Sequence, residues 1–222
     1  MTAKRFLRMS VALFSLCGAV WFAGCSTMYY KTMESFGYQK RDLLVSEIED
    51  ARDSQQEAKE QFQTALEQFK SVVDFQGGDL EAKYDELNTA YKNSDAKAQN
   101  VRGHIDDVDN VAQALFSEWE TELDQYSNEQ LRQSSRQKLD ATRARYQEFI
   151  LAMRSAESKI EPVLSAFHDQ VLYLKHNLNA QAIASIQSDL DAVESDIASL
   201  ISELEQSIAE ADQFIKDFEG QN

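Results

Sequence analysis

The sequence predicts an all-α fold: an elongated antiparallel helical bundle, a coiled-coil-like rod of three to four long helices. Turn-formers are scarce, with one proline (Pro162) and seven glycines among 222 residues, which disfavours a many-stranded β fold. Apolar residues still make up 43% of the chain, enough for a core. Their spacing alternates steps of four and three over long stretches, the period of a coiled-coil seam.

The N-terminus comes first. Residues 1–8 are positive, with Lys4, Arg5 and Arg8, and an apolar run occupies 9–22. That run is shorter than the roughly 20 residues of a spanning helix, and a small-residue cleavage site closes it, the layout of a signal peptide over 1–24. Phe22, Ala23 and Gly24 precede Cys25. Ala23-Gly24-Cys25 resembles the lipobox of bacterial lipoproteins, with Phe22 where that motif usually has Leu. The resemblance implies a signal-peptidase cut before Cys25 and acylation of Cys25, palmitate included. Two or three acyl chains hold a protein on a membrane where one is marginal. By the same resemblance Ser26, in place of Asp, points to the outer membrane; which membrane and leaflet hold the lipid stays open. Cleavage would remove Cys17, so no intramolecular disulfide is expected.

Residues 25–31 read as a lipidated N-terminus and short linker, and 32–220 as the helical bundle domain. Tyr29, Tyr30, Met33, Phe36 and Tyr38 either rest at the membrane interface or cap one end of the bundle. The first stripe runs Leu44, Ile48, Ala51, Gln55, Ala58, Phe62, Ala65, Phe69, Val72 and ends at Gln76-Gly77-Gly78, a turn. Asp79 is the N-cap expected for the second, which runs from Leu80 through Tyr84, Tyr91 and Val101 to Ala112, Leu115 and Trp119. Tyr126-Ser127-Asn128 signals the next turn. The third stripe extends from Leu139 through Phe149, Ile160 and Phe167 to Leu174 and Leu178, with Pro162 expected to kink rather than break it. The last runs from Ile186 to Phe218 and is widened by Ile201 and Ile208. His176-Asn177-Leu178-Asn179 offers a polar turn before it, but a continuous helix is also open. Four antiparallel helices are favoured over three.

Charge supports that pairing. The chain has 22 Lys+Arg against 38 Asp+Glu, a net of −16, which removal of Lys4, Arg5 and Arg8 deepens to −19. Such a surface repels nucleic-acid phosphate, so no nucleic-acid partner is expected. Within the bundle domain only residues 128–179 are net positive, with eight basic and six acidic residues. Arg132, Arg136, Lys138, Arg143 and Arg145 flank the third seam, where charges choose partner helices. Folding back sets them towards Glu118 and Glu122 on one neighbour and Glu210 on another.

No catalytic, cofactor-binding or metal residue emerges, so neither an enzyme nor a cofactor is expected. His168 and His176 lie too far apart to share an ion through bonds of about 2 Å, and all three histidines, His104 included, read as surface or packing residues. Asp106-Asp107-Val108-Asp109-Asn110 lacks the glycine and distant glutamate of a calcium loop and reads as a solvated helix face. Trp119, Tyr84 and Tyr91 read as core.

Three segments, 33–44 (MESFGYQKRDLL), 161–164 (EPVL) and 171–180 (VLYLKHNLNA), carry a resemblance to a family of uncharacterised bacterial lipoproteins, chiefly proteobacterial, defined by a domain of unknown function. It covers nearly all of 28–215 and implies no activity. The expected role is that of a lipid-anchored cell-envelope protein facing the periplasm, with a non-enzymatic structural, scaffold or interaction function. Its partners would be the membrane, through acyl chains on Cys25, and a second copy or another envelope protein. The alternative is a binding module for a cationic or amphipathic ligand on the acidic bundle.

Overall fold

A computed structural model describes residues 40–220. The readings of Phe22, Ala23, Gly24, Cys25 and the aromatic segment 29–38 lie outside those residues. Residues 40–43 belong to one compact unit and the chain from Leu44 onward to a second, which holds the helical bundle.

Among the described residues five helices succeed one another: α1 (Lys40–Val73), α2 (Leu80–Leu123), α3 (Glu129–His176), α4 (Ala180–Gln187) and α5 (Leu190–Glu219). The junctions are encoded locally. Gly77 and Gly78 take φ of 134° and 120°, which a side chain would resist, and so turn the chain between α1 and α2. Asp79 Oδ1 accepts from the Ala82 amide at 3.1 Å, capping α2. Asn128 Oδ1 accepts from the Gln130 and Leu131 amides at 2.9 and 3.2 Å, capping α3. The third helix ends at His176, so third and fourth legs are separate. Asparagines make that turn: Asn177 donates its side-chain amide to the Tyr173 carbonyl at 2.9 Å, and Asn179 Oδ1 accepts from the Ala182 amide at 3.0 Å.

Cross-helix pairs fix an antiparallel ring within the second unit. On the α1–α5 side Arg52 meets Asp212, Lys59 meets Glu205 and Lys70 meets Glu194, residue numbers falling on one helix as they rise on the other. Lys97 to Glu57 joins α1 and α2, while Arg102 to Glu161 and Arg154 to Asp106 join α2 and α3. Arg145 to Asp217 joins α3 and α5. Helices α1, α2, α3 and the α4–α5 leg therefore make four antiparallel legs, and backbones approach most closely between α3 and its neighbours α2 and α5. At about 1.5 Å per residue the 48 residues of α3 span about 70 Å, so this unit is a long bundle.

The first stripe is buried at all nine positions, Leu44 to Val72. On α2 the expected seam is only half-buried at Leu80, Tyr84 and Tyr91, is buried from Ser94 through Ala112, and then slips: Phe116 and Leu123 are buried, while Leu115 and Trp119 are half-buried. Two successive steps of four, Val108–Ala112–Phe116, match the 3.6-residue turn of a straight helix instead of the 3.5 of a heptad, and so move the buried face. On α3 the stripe is buried from Leu139 to Leu174, whereas Leu178 lies beyond the helix and is exposed. α3 continues through Pro162, which is exposed along with Ser158, so the carbonyl that proline leaves without its amide donor faces water. Ile201 and Ile208 are half-buried. Phe62, Phe69, Phe149 and Phe167 are among the largest fully buried side chains, each contributing about 2–3 kcal/mol of burial.

Candidate functional site

The α1–α2 seam places a histidine among carboxylates. Glu47 and Asp50 lie three residues apart on α1, and His104 and Asp107 three apart on α2, a spacing that puts each pair on one helix face. Lys97 Nζ to Glu57 at 2.6 Å, with Gln61 donating to the Ala90 carbonyl at 3.3 Å, fixes the antiparallel register. That register brings Glu47 against His104 and Asp107, each offering one ligand atom, all within 4.8 Å of one another. Glu47 and His104 are half-buried and Asp107 is exposed. Burial, then the charges of Asp107 and Asp50, push the Glu47 carboxyl above its usual range, with His104 opposing. Among the described residues no side-chain hydrogen bond or ion pair satisfies Glu47, His104 or Asp107.

The flanking charges singled out in the sequence divide into several groups. Arg143 donates to Glu120 across the α2–α3 seam at 2.8 Å and lies 5.4 Å above the Phe116 ring centre. Arg145 reaches Asp217 on α5 at 3.1 Å, so the basic helix packs between two acidic ones. Arg132 pairs within its own helix, with Glu129. The charge of Arg136 helps hold the Glu120 carboxyl below its usual range, after the hydrogen bond and charge of Arg143. Glu118 is half-buried on α2. Lys138, Glu122 and Glu210 form no ion pair among the described residues. The aromatics read as core lie at its edge instead: Trp119, Tyr84 and Tyr91 are half-buried, Trp119 donating its indole N–H to Ser135 Oγ at 2.8 Å and Tyr91 meeting Phe167 in a T-shaped contact.

By sequence alone His104 reads as a surface or packing residue and Asp107 as part of a solvated face. Neither carries a signal alone, because the third member, Glu47, stands 57 residues before His104 and only helix pairing joins them. The signal that could reveal the cluster is a histidine on one heptad flank opposite carboxylates on another, in antiparallel register.

Fold and site together define an acidic four-legged helical bundle with a histidine–carboxylate cluster on one seam. The chain belongs to the family described as "Protein of unknown function (DUF2959)", whose model matches residues 29–218. The resemblance carried by segments 33–44, 161–164 and 171–180 to a domain of unknown function therefore holds. No curated protein and no solved structure matches the chain.

Proposed function

We propose that this protein is a lipid-anchored component of the cell envelope, tethered through Cys25 to the outer membrane and facing the periplasm. Its role there is that of a non-enzymatic scaffold or interaction module. The observation that carries the reading is the order of residues 1–25: positive segment, short apolar run, Ala23-Gly24-Cys25. Among the described residues no helix is long and apolar enough to cross a membrane, and acyl chains are the attachment proposed. The long bundle behind the anchor offers an acidic surface to a partner, either a second copy or another envelope protein. The test compares wild type with Cys25→Ser for incorporation of labelled palmitate, membrane fractionation and in-cell crosslinking. Loss of label, release from the membrane and loss of crosslinked partners are expected; a variant still labelled and still sedimenting with membranes overturns the anchor.

A second reading, a site for a cationic or amphipathic ligand, draws support from an open groove of about 420 Å³ between α1 and α2. Gln61, Thr64, Asp85, Glu86, Thr89 and Asn93 line it. Titration with a cationic amphipathic peptide should weaken in the Asp85→Asn, Glu86→Gln variant; unchanged binding removes the groove from consideration.

A further inference from the structure

We infer that Glu47, His104 and Asp107 form a binding site for a divalent transition-metal ion of the zinc class, bridging α1 and α2. Three observations carry it. The ligand atoms come from two helices and already converge to within 4.8 Å. On a tetrahedral ion with bonds of about 2.0–2.2 Å, neighbouring ligand atoms stand about 3.4 Å apart. The remaining approach, at most about 1.4 Å, is within reach of rotamer adjustment in the exposed Asp107 and the half-buried Glu47. The donor set is also selective: one imidazole nitrogen with carboxylate oxygens suits zinc-like ions, whereas calcium and magnesium take six or more oxygens.

The third observation is electrostatic. Elsewhere the bundle answers cross-helix carboxylates with Lys or Arg, as at Glu57, Asp106, Asp212 and Asp217. On this stretch of the α1–α2 seam no Lys or Arg forms an ion pair with Glu47, Asp50 or Asp107 among the described residues, although the ligand atoms of Glu47, His104 and Asp107 converge. A bound dication supplies the missing positive charge and ties two legs of the bundle together. With three protein ligands, water would complete the coordination shell, leaving one position open.

The test uses the untagged full chain, treated with chelator and then titrated with Zn²⁺ by calorimetry and with Co²⁺ by visible absorption. One ion per chain is expected, with a Co²⁺ spectrum of low-symmetry protein coordination, undisturbed by millimolar Mg²⁺. Affinity should fall about tenfold or more in His104→Gln, Glu47→Gln and Asp107→Asn. It should be unchanged in Glu81→Gln, an exposed acidic position in the first turn of α2. Circular dichroism confirms folding, which these surface and half-buried changes should leave intact. Zinc binding equal to wild type in His104→Gln, or a Co²⁺ spectrum no different from the hydrated ion, overturns the site. Either result would mean that His104 is only a packing residue of the seam, or that the acidic surface merely screens cations.

Discussion

Two stretches of the bundle are equally buried and differently built. In one, Phe116, Tyr146, Phe149, Phe214 and Phe218 meet from α2, α3 and α5, with Phe149 stacked on Phe214 at 5.1 Å and Phe214 on Phe218 at 5.4 Å. Tyr146 packs edge-on against Phe116 and donates its hydroxyl to Asp109 at 2.8 Å. Burial and that acceptor hold the phenol far above its ordinary pKa, so it stays a donor at any working pH. In the other stretch the seam is small and polar. Gln55 is fully buried between Ala51 and Ala58, and its Oε1 accepts from the buried Ser207 hydroxyl at 2.8 Å. Arg52–Asp212 and Lys59–Glu205 flank it in sequence.

The difference separates stability from register. Aromatic rings stabilise by area and shape, and large apolar groups tolerate small slips of one helix past another. A buried amide facing a hydroxyl has one good arrangement, and a slip of α1 along α5 would separate them. Gln55 Nε2 has no hydrogen-bond partner among the described residues, so the pair stabilises less than apolar groups of the same volume would. A single polar residue on a seam acts this way in coiled coils, fixing alignment at a cost in stability.

The largest effect should come from emptying the aromatic stretch. Phe149→Ala should cost about 3–5 kcal/mol in urea denaturation, because its ring neighbours Tyr146 and Phe214 sit on two different helices and close only partly over the cavity. A loss below about 1 kcal/mol would show that the rings are not the main support. The polar stretch should respond with the opposite sign. Gln55→Leu combined with Ser207→Ala should gain about 1–2 kcal/mol by removing a buried amide with one unused donor. A loss instead would mean that the amide is satisfied and that the two stretches stabilise alike.

The smallest effect lies on the rim of the aromatic stretch, where Glu120 holds Arg143 above Phe116. The Glu120 carboxyl is lowered in the fold, chiefly by its hydrogen bond to Arg143. A depressed folded pKa gives stability that is present above the unfolded value and lost as pH falls through the folded one. Wild type should therefore melt slightly above Glu120→Gln at neutral pH, and the gap should close in acid and at high salt. A gap that persists below the carboxylate range would assign the effect to packing of the Glu120 stem.

The helices were legible because each depends on its own residues. A stripe of apolar side chains at steps of four and three declares its buried face without a partner, and α1 keeps to it at all nine positions. The caps at Asp79 and Asn128, the Gly77-Gly78 turn and the scarcity of breakers are also local, so they determine where the legs begin and turn. Excess basic charge on one helix between acidic ones likewise points to α3 as the leg packed between α2 and α5.

Tertiary structure alone decided what depends on two helices at once. Sequence favours a turn at 176–179 but leaves a continuous helix open, and the return of α4 and α5 along α3 settles it. The slip of the α2 seam to Phe116 depends on how straight that helix runs against its neighbours. Glu47, His104 and Asp107 are ordinary apart, and their meeting is set by a register that Lys97–Glu57 fixes some distance along the seam. The physical reason is the range of the interactions: caps and hydrophobic periodicity act within a few residues of one stretch of chain, whereas register and site geometry are properties of the packed pair.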